Sequence, residues 1–103
     1  MSLTIAFLGF GEVGQLFTRR LAGKPDVAVS VYDTLFDDPR SEGDLKRRAA
    51  ESGARATVSA ADACRGSLLV ISAVTADSAV AAARQAGPSL DRSQIYVDLN
   101  SVS

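Results

Sequence analysis

The sequence predicts an α/β fold, a doubly wound parallel sheet, and three observations carry that prediction. Short apolar runs alternate with helix-like stretches along all 103 residues. The first run, Leu3 to Leu8, passes directly into Gly9-Phe10-Gly11-Glu12-Val13-Gly14, a G-x-G-x-x-G spacing at a strand-to-helix hinge. The second run, Val27-Ala28-Val29-Ser30-Val31-Tyr32, ends on an acid, Asp33. Parallel strands covered on both faces by crossover helices read as continuous, β-branched apolar runs, as these do.

Each element follows in order. Strand one is Leu3 to Leu8. Helix one runs from about Glu12 to Ala22, with Val13, Leu16, Phe17, Arg20 and Leu21 at helical spacing, and Gly23 and Pro25 break it. Strand two is Val27 to Tyr32. A loop with Asp37, Asp38 and Pro39 leads to a polar helix from about Ser41 to Ser52, which Gly53 can end in a left-handed conformation. Strand three is short, near Ala56 to Val58, and Ser59 suits an N-cap for a brief helix with Ala60, Ala61 and Ala63. Strand four, Ser67 to Ser72, holds Leu68-Leu69-Val70-Ile71, the apolar run of a central parallel strand. An alanine-rich helix from about Ala76 to Ala86 is closed by Gly87 and Pro88, and strand five is Ile95 to Leu99. Right-handed crossovers then fix the helices on both faces, and ligands belong outside the carboxyl ends of the strands, where strand order reverses.

The glycine spacing has a physical reading. The first glycine permits a tight turn, the second lets backbone approach a pyrophosphate, and the third lets helix pack closely on strand. Phosphates then meet free N–H groups at a helix N-terminus, where the dipole favours negative charge. Asp33 lies about twenty residues further on, where a dinucleotide fold places an acid on the ribose hydroxyls. A carboxylate there favours NAD and repels the 2′-phosphate of NADP. Two plainer readings of Asp33 stand beside this one, a polar loop residue and an N-cap. Arg40, Lys46, Arg47 and Arg48 lie downstream; they can either reach a 2′-phosphate, giving NADP as the alternative cofactor, or form the solvated face of a helix. The architecture is thus a Rossmann-type sheet, truncated after the fifth strand, in one domain spanning residues 1–103.

Composition bounds the function further. With 47% apolar residues and a net charge of −1, nothing suggests disorder, nucleic acid as a partner or an acidic tail. The single cysteine, Cys64, forbids an internal disulfide, and the absence of histidine removes any His base or His-ligated metal within the chain. The apolar start is too short for a membrane span and lacks a signal peptide's basic flank, so a cytoplasmic setting without membrane partners is expected.

The residues Gly9-Phe10-Gly11-Glu12-Val13-Gly14, Val31-Tyr32-Asp33, Ile71-Ser72-Ala73-Val74-Thr75 and Asp98-Leu99-Asn100-Ser101-Val102-Ser103 together resemble the cofactor half of the β-hydroxyacid dehydrogenases. That family includes 3-hydroxyisobutyrate and 6-phosphogluconate dehydrogenases, and the resemblance spans the whole chain. It implies that Gly9, Gly11 and Gly14, with the intervening Phe10, Glu12 and Val13, hold the pyrophosphate, and Asp33 the adenosine ribose. It implies that Ala73, Val74 and Thr75 lie along the nicotinamide side. Ser78 matches a position where the family often has an asparagine that touches cofactor. Asn100 and Ser101 match the small polar residues near the nicotinamide ribose and substrate, although the same pair suits a helix cap.

The resemblance further implies a helical domain beyond Ser103 that supplies a catalytic lysine and a homodimer interface. Neither Lys24 nor Lys46 matches that lysine, so the expectation is a chain with no catalytic residue of its own that binds cofactor without turning over a hydroxyacid. A nucleotide-sensing regulatory domain is the alternative, since it shares strand, glycines, helix, strand and acid and needs no lysine. The Asp98 to Ser103 run and the Val74-Thr75 turn favour the dehydrogenase. The six-residue glycine spacing argues against an S-adenosylmethionine-dependent methyltransferase.

Overall fold

The computed structural model describes residues 3–74 and 78–99. Five strands and four helices alternate: β1 (Leu3–Leu8), α1 (Glu12–Ala22), β2 (Val27–Tyr32), α2 (Glu42–Glu51), β3 (Arg55–Ala56), α3 (Ala60–Cys64), β4 (Leu69–Ser72), α4 (Ala79–Ala86) and β5 (Ile95–Asp98). All pairings are parallel, in the order β3-β2-β1-β4-β5. The chain therefore builds outward from β1 through β2 to β3, then crosses back to β4 and β5. Right-handed crossovers in opposite directions put α1 and α2 on one face and α3 and α4 on the other. The reversal falls between β1 and β4. Leu8 stands level with Tyr32 on one side and Ser72 on the other, so three strand ends meet at one edge.

The core is central: Ile5, Ala6, Phe7 and Leu8 of β1 are buried with Val29, Val31 and Val70 from its neighbours. Side chains at i and i+4 share a helix face, and α1 turns Gly14 and Thr18 inward rather than its apolar stripe. Val13, Leu16 and Phe17 stay 50%, 46% and 40% exposed, though Phe17 still stacks on Phe7 at 6.3 Å. Small residues at the seam bring helix and sheet close together, and the larger residues are displaced to the flank. In α4 the buried positions are Ala82 and Ala86, while Val80 and Ala83 face outward.

Several boundaries differ from expectation, each for a local reason. β4 starts at Leu69 because Ser67 still belongs to the turn closing α3: its N–H donates to Cys64 O and its hydroxyl to Ala63 O. β3 ends at Ala56 where the chain bends toward α3, with the single Thr57 hydroxyl proton shared between Val31 O at 2.9 Å and Ser59 O at 3.1 Å. The loop expected after β2 contains a 3-10 turn, Thr34–Asp37. Gly53 has φ +87°, the left-handed conformation expected after α2. On the α1 face, Ile5, Leu69 and Ile95 stand level, as do Phe7, Ile71 and Val97. At the outer edge Ile95 and Leu99 remain 58% and 42% exposed.

Candidate dinucleotide-binding cleft

The three glycines after β1 do three different things. Gly9 has φ +102°, and a Cβ there would sit 2.6 Å from Ala73 O and 3.0 Å from Val74 Cγ1. The turn after β1 is thus pressed against the turn after β4, which only a glycine allows. A Cβ on Gly14 would collide with the Gly9 carbonyl oxygen, so this glycine sets how closely α1 approaches the turn. Gly11 is the opposite case: nothing lies within 4 Å of its notional Cβ. It is the extended N-cap of α1 and supplies no side-chain cap. The first intrahelical bond runs from Gln15 N–H to Gly11 O, leaving the amides of Glu12, Val13 and Gly14 without a helical acceptor.

Asp33 stands at the tip of β2, one strand away. One carboxylate oxygen accepts from Phe10 N–H at 2.7 Å and the other from Leu35 N–H at 2.9 Å. The second bond caps the 3-10 turn, so the plainer N-cap reading of Asp33 is realised. Each carboxylate oxygen has two lone pairs, which leaves acceptor capacity on both. Behind Asp33 an aromatic cluster fixes the rim: Phe36 packs edge-on to Tyr32 at 6.1 Å and tilted to Phe10 at 6.3 Å. The Tyr32 hydroxyl donates to Asp37 Oδ2 at 2.6 Å. Burial first, and then the Asp37 carboxylate, push its hydroxyl up to about 12.

These rims enclose a cleft of about 350 Å³, within the size range of small-molecule sites. Of the residues expected from sequence, Gly9, Gly11, Asp33, Ala73, Val74 and Ser78 line it. Phe10, Glu12, Val13 and Gly14 do not: the Phe10 ring is buried behind the turn, Gly14 is packed against Gly9, and Glu12 and Val13 are exposed on α1. Thr75, Asn100 and Ser101 lie outside the described residues. The remaining lining was not foreseen: Leu8, Tyr32, Thr34, Leu35 and Ala60, with Ala81, Ala82 and Gln85 from α4. A signal for the last three existed, since Ser78, Ala81, Ala82 and Gln85 recur at i, i+3, i+4 and i+7.

Asp33 is the one charged side chain among the described lining residues. Arg40 pairs with Asp38, Lys46 with Glu42, and Arg47 and Arg48 with Asp44, and none of the four lines the cleft. Lys24 lies exposed in the turn after α1. Among the described residues no group of His, Cys, Asp or Glu could hold a metal ion, and no helix is long and apolar enough to cross a membrane. The Cys64 thiol is buried, which pushes its pKa up. The cradle fits a dinucleotide: room above Gly11, uncapped amides beside it and an acid at the next strand tip.

Fold and cleft define a nucleotide-binding α/β domain of the Rossmann type. Residues 4–101 match the family described as NADP oxidoreductase, coenzyme F420-dependent, and the chain belongs to it. The match is not specifically to the 6-phosphogluconate dehydrogenases. No curated protein matches the sequence. A conserved hypothetical protein from Sinorhizobium meliloti 1021 is 37% identical, with a TM-score of 0.92 over 99% of this chain and 34% of that one. An imine reductase from Myxococcus stipitatus in complex with NADP+ shares the fold at 18% identity, with a TM-score of 0.77 over 97% of this chain and 32% of that one. Its V8 variant in complex with NAD+ gives 22% identity and a TM-score of 0.77, over 100% of this chain and 33% of that one. The chain thus spans about a third of the length of these structures.

Proposed function

We propose that this chain is the cofactor-holding part of an oxidoreductase that moves hydride to or from a small organic substrate, and that it takes NAD in preference to NADP. One observation carries the reading: open space at Gly11 beside uncapped helix amides, one strand away from the Asp33 carboxylate. Gly9 and Gly14 close the turn, Gly11 admits the pyrophosphate, and the amides of Glu12, Val13 and Gly14 donate to it. Asp33 accepts from the adenosine ribose hydroxyls, and its charge opposes a 2′-phosphate. The family description names NADP. An acid at the strand tip, with no cation among the described lining residues, supports NAD instead.

Bound nicotinamide supplies the hydride chemistry at its C4, while protein residues bind and orient it. Ala73, Val74 and Ser78 flank the cofactor on the way to that ring, with Thr75, Asn100 and Ser101 expected at its far end. Two substrate classes have support. The run from Asp98 to Ser103 favours a hydroxyacid, whereas the imine reductases named above favour a carbon–nitrogen double bond. A hydroxyacid would give hydride from its carbinol carbon to C4 and lose its hydroxyl proton, whereas an imine would take hydride from C4 at its trigonal carbon and gain a proton on nitrogen. An oxidoreductase family also weighs against the regulatory-sensor alternative.

Calorimetric titration tests the reading. NAD is expected to bind more tightly than NADP. Gly11→Val should abolish binding of both, and Asp33→Ala should weaken NAD at least tenfold and erase the preference. Unchanged NAD affinity in both variants would overturn the assignment.

A further inference from the structure

We propose that Gln85 reads the base of the bound dinucleotide and makes the cleft selective for adenine, an inference that rests on the cofactor reading above. α4 directs Ser78, Ala81, Ala82 and Gln85 to the cleft as one stripe. Leu35 lines the same cleft from the loop after β2, apolar yet 49% exposed, two residues beyond the acid proposed to hold the ribose. Methyl groups on one wall and an isobutyl group on the other form a slot with uncharged sides. A purine attached to that ribose has apolar faces and a polar edge, so it suits such walls and needs a partner only at its edge.

Among the other polar side chains described in the lining, Asp33 is assigned to the ribose and the Tyr32 hydroxyl is given to Asp37, while the Thr34 and Ser78 hydroxyls each present a single oxygen where a purine edge needs a donor and an acceptor side by side. Among the described lining residues Gln85 alone carries a carboxamide, which presents an acceptor and donors side by side. A glutamine pairs bidentately with adenine: its oxygen accepts from the amino group at C6 and its NH2 donates to N7. A purine with a carbonyl at C6 presents two acceptors along that edge, leaving the glutamine oxygen opposed to one of them. Phosphate and ribose contacts are common to every dinucleotide, so selection among bases has to come from this wall.

The test is titration of the 103-residue chain with NAD and with nicotinamide hypoxanthine dinucleotide, which differs only in that C6 group. The wild type should bind NAD about tenfold more tightly, the discrimination of one good bidentate pair. Gln85→Leu should lose that factor for NAD and keep its hypoxanthine affinity within about twofold, so the ratio approaches one. Gln85 is exposed, so an unchanged melting temperature should accompany the change. A wild type without preference, or a Gln85→Leu chain that retains it, overturns the role of Gln85 while the cofactor reading survives. A wild type that binds neither dinucleotide, or a Gly11→Val chain that binds both normally, overturns both proposals.

Discussion

Gly9, Gly11 and Gly14 occupy one short motif, yet their substitution should have opposite consequences. Gly9→Ala combines a positive φ with a Cβ 2.6 Å from Ala73 O, a backbone atom that cannot step aside. It should cost more than about 2 kcal/mol in urea unfolding, and Gly14→Ala should behave alike. Gly11→Ala meets empty space and should cost no more than about 1 kcal/mol, while weakening NAD. Tyr32 gives a pH signature. Its folded value of about 12 lies above the ordinary 10.0, so between those limits the folded state keeps a proton that the unfolded chain releases. Its contribution is complete below pH 10 and declines as pH rises toward 12. Tyr32→Phe should flatten that part of a plot of unfolding free energy against pH. The glycines and Asp33 were legible in the sequence because their spacing is set by short-range sterics. Leu35 was not, and Gln85 was legible only as one position of a helical stripe, because only the folded chain sets the loop after β2 and α4 around one cleft.

Among the elements, α3 has the clearest start signal. The Ser59 hydroxyl accepts from Asp62 N–H at 3.0 Å, and the Asp62 carboxylate accepts in return from Val58 N–H at 3.3 Å. This is close to a capping box. Ser59→Ala should therefore lower stability by about 1 kcal/mol, read as a fall in melting temperature. That cap could be read directly from sequence, as could the cores of all five strands. The 3-10 turn Thr34–Asp37 could not: one turn has no periodicity, and what nucleates it is the Asp33 side chain. Nor does periodicity say which stripe of a helix is covered. Val13, Leu16 and Phe17 mark α1 as a helix, but steric fit gives the buried seam to Gly14 and Thr18.

For the molecule as a whole, alternating strand and helix signals with right-handed crossovers were enough to specify a doubly wound sheet. Ile95 and Leu99 lie exposed at the β5 edge, and Phe17 adds to the same face. Exposed apolar patches promote association, so the 103-residue chain should self-associate at high concentration. Light scattering should show mass rising with concentration, and Ile95→Lys should suppress the rise. A monodisperse monomer throughout would contradict this.

The Asp33 carboxylate acts as a rivet, fastening the amide of Phe10 to the amide of Leu35 across the mouth of the cleft. On the proposed cofactor reading, the choice between NAD and NADP and the rigidity of both lips rest on one side chain. Asp33→Asn, the mildest way to invite a 2′-phosphate, offers one acceptor where two amides converge and turns an NH2 toward the other. Redirecting this chain to NADP thus calls for a replacement acceptor for one of those amides, introduced together with the new cation.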